Sequence, residues 1–158
     1  MKFEKDMKTI RLIYPQWQGG DIARWIPEIG DPAEAARGYC LGARLLSVLA
    51  PDCGQETYTV PVTTDFKPRQ VLDGVLDRDD IASQTRAAMD ILKVVAPDKI
   101  VTLGGECSVS VVPFTYLAGK YEGDVAMVWI DAHPDVSTPK DGYPNAHAMV
   151  LGSLLGYG

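Results

Sequence analysis

The sequence contains no apolar run near the roughly 18 residues that a membrane-spanning helix needs. It has no excess of positive charge either: 15 Lys and Arg against 21 Asp and Glu leave a formal net charge of -6. With a pI of about 4.8, the chain lacks the basic face that nucleic acid requires, and an anionic membrane surface would repel it. The N-terminal stretch MKFEKDMKTIRLIY scatters charges where a secretory leader has a continuous apolar segment, so a cytoplasmic location is expected. Cysteine is sparse: Cys40, Cys53 and Cys107 form an odd set without CxxC spacing. Buried free thiols are therefore expected in place of a disulfide framework. The turn LGGE is neither GxGxxG nor a P-loop, and no Lys-Ser/Thr follows it, so it carries no phosphate signature. No internal repeat, low-complexity tract or interdomain linker interrupts the chain.

What is present is an ordinary globular composition, 46% hydrophobic and 23% charged. Thr9–Tyr14 (TIRLIY) reads as a strand, broken by Pro15 and Gly19-Gly20. Residues 15–30 read as a loop with two tryptophans. Asp31-Pro32-Ala33-Glu34 combines a cap, a proline at the first helical position and a capping-box spacing. The helix it starts runs to about Leu49, with Tyr39, Ala43, Leu46 and Leu49 as its apolar stripe. Tyr58–Val62 is a second strand, placed near an edge by Pro61. Asp79 and Asp80 start a helix whose face is Ile81, Thr85, Ala88, Met89, Leu92 and Val95, ended by Pro97. Lys99–Leu103 is a third strand, Val109–Lys120 a helix with Pro113 in its first turns, and Ala146–Leu155 a last helix. Val125–Ile130 (VAMVWI) is so continuously apolar that a strand buried on both faces is expected. Strand and helix alternate throughout, which predicts a three-layer α/β/α fold with a mostly parallel sheet. Ligands in such sheets bind beyond the carboxyl ends of the strands, where LGGECS and DAHPD both lie.

In an extended segment alternate residues share a side, so Asp131, His133 and Asp135 can converge on one point. Two carboxylates and an imidazole make a mixed oxygen and nitrogen ligand set suited to manganese, iron or zinc. The bland alternative is a polar loop whose aspartates cap a turn, but clustered carboxylates beside a core repel one another unless something compensates. Cys107, just past Gly104-Gly105, is either a further ligand or a thiol that only packs. Glu106 is either a ligand, a hydrogen-bond acceptor or a cap for the following helix. His147, in NAHAM, is either structural or a proton shuttle for a metal-activated water.

GGECS at 104–108, DAHPD at 131–135 and NAHA at 145–148 together resemble the ureohydrolase family of arginase, agmatinase and formimidoylglutamase. Its pattern is a GG-acid-His-Ser turn, an apolar strand into DAHxD, and then N-x-H-G. The resemblance spans residues 98–155 and is looser over the first 60. It implies an arginase-like fold with two divalent ions, usually manganese, and a small guanidino or amidino substrate. Asp131 would match the carboxylate that bridges the ions, His133 and Asp135 a ligand to each, Asn145 a substrate contact and His147 the proton shuttle. The implied chemistry is hydrolysis of a linear C–N bond. The alternative is a degenerate, non-catalytic arginase-like protein with a structural or interaction role.

Three departures from that pattern stand out. Cys107 replaces the metal-binding histidine, Ala148 replaces a glycine, and no DxD pair follows residue 135. The expectation is that residues 1–158 form the N-terminal portion of a single arginase-like domain, incomplete and inactive alone. An open sheet edge would then lead it to homo-oligomerise.

Overall fold

The computed structural model describes residues 7–65 and 67–157, apart from the side chains of residues 32 and 33; the first six residues of the N-terminal stretch lie outside this range. Three parallel strands form the sheet in the order β2-β1-β5: β1 is Thr9–Tyr14, β2 is Glu56–Thr59 and β5 is Lys99–Gly104. Ile10 pairs with Glu56 on one side and Ile100 on the other, so β1 is central and β2 lies at an edge; β2 starts and ends earlier than the expected Tyr58–Val62, and Pro61 lies beyond it.

The period of two along β1 sends Ile10, Leu12 and Tyr14 to one face, where each is fully buried. There they meet Ala88 and Leu92 of α3 (Arg78–Val95) and Val112 of α4 (Val111–Lys120). α2 (Pro32–Leu49) packs beside β1 and β5 through the other face. Helix, sheet and helix thus make the expected three layers. Asp31 caps α2 as its sequence suggests, its Oδ1 accepting from the Glu34 amide at 3.1 Å. The stripe along α2 is buried only in its first half. Ala36, Cys40 and Ala43 are inside, whereas Leu46 and Leu49 are exposed, as are Leu41, Leu45 and Val48.

Several local expectations need correction. Residues 15–30 are not a plain loop: α1 (Ile22–Trp25) and a 3-10 turn at Pro27–Ile29 interrupt them. Ala146–Leu155 divides into a 3-10 turn, Ala146–Met149, and α5, Val150–Leu154. Val71–Leu72 (β3) and Val75–Leu76 (β4) form an unanticipated hairpin about Asp73-Gly74, both with positive φ. An Asp-Gly pair between two Val-Leu pairs is a strong signal for such a turn.

The largest correction concerns Val125–Ile130. It is not a strand, and it forms no ladder with any described residue. Val128 is 78% and Ile130 93% exposed. Apolarity makes a segment fit for a sheet interior, but burial needs neighbouring strands, and β5 pairs with β1 alone. A trough of about 490 Å³, lined by Thr102 of β5 and by Phe114, Val128 and Trp129, separates the two.

Candidate metal centre

Two turns beyond the sheet bring the candidate ligands together. The first is Gly104-Gly105-Glu106, directly after β5. The Gly105 amide donates to the Tyr14 carbonyl at 3.0 Å. A Cβ on Gly105 would sit 1.7 Å from the Gln16 carbonyl oxygen, so only glycine permits this approach. Glu106 is buried and caps the following turn. Its carboxylate accepts from the Ser108 amide at 2.8 Å, the Ser108 hydroxyl at 2.6 Å and the Gln16 amide at 2.8 Å. These bonds give Glu106 a positioning role and leave the adjacent Cys107 half-buried, facing the second turn.

That second turn is Asp131–Asp135. The Asp131 Oδ1 accepts from the His133 amide at 2.9 Å, which folds the loop on itself. Asp135 takes a left-handed backbone, φ 47°, a conformation that aspartate tolerates better than most residues. Its carbonyl accepts from Leu151 at 2.9 Å and Gly152 at 3.1 Å, which fastens the loop to α5. Cys107 Sγ lies 3.6 Å from Asp131 Oδ2. One donor atom from each of Cys107, Asp131 and Asp135 lies within 4.8 Å of the other two.

The electrostatics of this cluster are unfavourable for its own acids. Asp135 is 3% exposed, and its Oδ2 has no hydrogen-bond partner. Burial, with Asp131 adding to it, raises the Asp135 carboxyl above the usual range. Burial pushes the Cys107 thiol up to about 12, with Asp135, Asp131 and Glu106 adding to the effect. A cation among these groups would reverse each penalty. The buried oxygen without a hydrogen-bond partner and the convergence of two carboxylates and a thiol fit a divalent ion.

His133 stands outside the cluster. Its ring stacks on Trp25 with centroids 5.9 Å apart, and Nδ1 is 3.9 Å from Asp131 Oδ1. Strict alternation along the DAHPD loop would aim it with the aspartates; the bend at 131–133, closed by the His133 amide on Asp131 Oδ1, breaks the extended run before His133. His133, Asp135 and His147 do share one cavity of about 350 Å³, also lined by Arg24, Trp25 and Tyr143. His147 Nδ1 lies 2.7 Å from the Gly19 carbonyl, which can only accept, so Nδ1 carries the proton there. Nε2 is then the nitrogen left for exchange, 3.4 Å from the Tyr143 hydroxyl. That hydroxyl donates to Asp21 Oδ2 at 2.9 Å. Burial first, and Asp21 next, hold the Tyr143 proton on well above its ordinary value. Asn145 is buried, and its amide donates to the Gly20 carbonyl at 3.0 Å.

A model of the arginase family matches residues 43–157. The chain belongs to the arginase family. No curated protein sequence matches it. Among solved structures, the arginase of Entamoeba histolytica, crystallised with L-ornithine, is similar in fold. The TM-score is 0.64 at 18% identity, and the match covers 96% of this chain and 50% of that one. The chain thus spans half the length of the arginase it matches. Its mixed α/β architecture with a parallel sheet is the arginase-like fold over that half.

In this arginase-family chain the sequence reading missed a second set of residues around the site. Gly19 and Gly20, read only as strand breakers, supply the carbonyls that orient His147 and Asn145. Asp21, Arg24 and Trp25 come from the segment read as loop. Gln16, Gln18 and Gln84 form a buried amide network beneath Glu106. The signal that could have found them is the pattern Gln16-x-Gln18-Gly19-Gly20 just past a buried strand. Polar residues and paired glycines there need a structural reason.

Proposed function

We propose that this chain carries part of the active site of a metal-dependent hydrolase that cleaves linear C–N bonds in guanidino or amidino compounds. The convergence of Cys107, Asp131 and Asp135 on one point, with an unpartnered carboxylate oxygen, carries the reading. The arginase family typically binds manganese, and the two carboxylates here are hard oxygen donors that suit it. When bound, such an ion supplies Lewis-acid polarisation and activates water as a nucleophile. In this reading Cys107, Asp131 and Asp135 would hold the ion, and Asp131, the more exposed carboxylate, would be the one open to a second. His133 would reach an ion by leaving Trp25. Asn145, held by its bond to the Gly20 carbonyl, would be a substrate contact. His147, with Nδ1 committed to Gly19, offers Nε2 to the departing amine. The Tyr143 ring, set edge-on to the imidazole with centroids 5.6 Å apart and anchored by its bond to Asp21, packs beside His147 and limits its rotation.

The reading also takes residues 1–158 as the N-terminal portion of one arginase-like domain, which the half-length match supports. It takes the chain to self-associate through the open side of β5, with a cytoplasmic location. A second reading, a non-catalytic arginase-like protein, is favoured by one observation: His133 is seated on Trp25 and away from the cluster.

Metal analysis and product release separate the two. The enzyme reading expects bound divalent metal and release of urea or ammonia from a panel of guanidino and amidino compounds. It also expects Asp131→Asn to strip the metal. Metal content unchanged in that variant, or no turnover by metal-loaded protein joined to a complementary arginase half, would leave the non-catalytic reading.

A further inference from the structure

We propose that the ion held by Cys107, Asp131 and Asp135 is a thiophilic divalent cation of the zinc and cobalt class, bound through the Cys107 thiolate. This rests on the metal-centre reading above and departs from manganese. The donor set is one sulfur and two oxygens, with donor atoms within 4.8 Å of one another. His133, the nitrogen donor that would harden the set, is stacked on Trp25. Manganese favours oxygen and imidazole donors, whereas thiolate selects softer ions. Three protein ligands with one position open is also the arrangement of catalytic zinc sites.

Two observations make Cys107 more than a packing thiol. It is held on the turn that Glu106 and Gly105 fix, and its sulfur faces two carboxylates, 3.6 Å from Asp131 Oδ2. And Asp135, nearly fully buried, brings an oxygen to the same point while its Oδ2 has no hydrogen-bond partner. A neutral thiol has one proton to offer and two carboxylates facing it; a coordinated ion serves both at once. Binding breaks the Cys107 S–H bond, forms a sulfur–metal bond and releases the proton to solvent, with no change in oxidation state. Two carboxylates and the thiolate carry three negative charges, and a divalent ion leaves one.

The test is a cobalt(II) titration of the full chain in a Cys53→Ser background, because Cys53 is an exposed thiol. The readouts are the thiolate-to-cobalt charge-transfer absorption and the protons released. The expected result is about one equivalent bound, with the absorption and about one proton per ion. Cys107→Ser should remove the absorption and weaken binding by more than the roughly 10–100-fold that losing an outer-shell partner costs. Cys107→His should also remove it while improving manganese binding relative to cobalt. Asp131→Asn, which should leave the protein metal-free as purified, should weaken cobalt binding but keep the absorption where excess cobalt saturates the site. Cobalt bound without the absorption, or with an absorption that survives Cys107→Ser, would overturn thiolate ligation and leave a carboxylate metal centre standing. No binding of cobalt, zinc or manganese would overturn both.

Discussion

TIRLIY at residues 9–14 and VAMVWI at residues 125–130 are apolar runs of the same length that end in opposite environments. In the first, Ile10, Leu12 and Tyr14 are at 0% exposure; in the second, Ile130 is at 93%. Both lead into a turn of the candidate site. The difference lies in partners. β1 is paired on both sides, by β2 and β5, so its backbone groups are satisfied and its side chains meet α3 and α4. Residues 125–130 have no ladder, and within the run only Trp129, tilted against Phe114 with ring centroids 6.5 Å apart, is not exposed. Site geometry is therefore firmest where it hangs from β1 and β5, through Gly105, Glu106 and Gly19. It is anchored differently where it hangs from 125–130: there the loop is held from its far end, by the bonds of Asp135 to α5.

The sharpest way to break this contrast is truncation at matched positions. Leu12→Ala should cost about 2–5 kcal/mol, as large-to-small changes in packed cores do. Ile130→Ala should stay within about 0.5 kcal/mol, as for exposed positions. Denaturant unfolding monitored by circular dichroism measures both. Equal losses would mean that the 125–130 run is buried in solution and that the contrast is false.

Glycines offer the next contrast. At Gly105 an added Cβ meets the backbone of Gln16, which cannot move without shifting the turn that presents Cys107. Gly105→Ala should cost about 1–3 kcal/mol or more. At Gly38, inside α2, nothing lies within 4 Å of an added Cβ. Gly38→Ala should instead gain about 0.5–1 kcal/mol from helix propensity. The two melting shifts should have opposite signs.

These cases show which parts of the molecule could be read from its sequence. β1, α2, α3 and β5 were legible because period, caps and breakers are local properties. Asp31 and Glu34 announce the start of α2, and Pro97 follows the end of α3. The motifs GGECS and DAHPD identified the family and the ligand candidates because residue type and order survive where overall identity does not. What stayed hidden depends on distant partners. VAMVWI reads as a buried strand because composition records suitability for a sheet and carries no record of whether neighbours are present. Alternation groups His133 with its aspartates, but the bend at 131–133 and the ring of Trp25, over a hundred residues away, set its place. The Asp73-Gly74 hairpin, by contrast, is a local signal that the sequence carries in full.

The buried amides give a smaller effect on the firmer side of the molecule. Gln84 donates to Gln16 Oε1 at 2.9 Å and Gln18 Oε1 at 3.2 Å, and accepts from the Thr63 amide at 3.1 Å. Gln84→Leu keeps the volume but leaves those partners unmatched, at a cost of about 1–3 kcal/mol. Because Gln16 also holds Glu106, the variant should loosen the Cys107 turn. Hydrogen exchange at Ser108 and Val109 should speed up, with exchange in the exposed 125–130 run unchanged. Equal change in both regions would mean that the network supports the fold as a whole and not the turn.

The last contrast is between two thiols and needs no change in stability. Cys53 is exposed, whereas Cys107 is half-buried against Asp131 and Asp135. Alkylation requires the thiolate, and burial with its acidic neighbours holds the Cys107 thiol at about 12. At about pH 8 in metal-free protein, Cys53 should react roughly tenfold or more faster than Cys107, as peptide mass spectrometry can follow. The Cys107 rate should keep climbing as pH rises toward about 12, since a raised value means that the folded state holds the proton longer. Asp131→Asn removes one repelling charge and should speed Cys107 while leaving Cys53 unchanged. If the variant changes nothing, burial alone protects the thiol, and the two acids do not form one electrostatic unit with it.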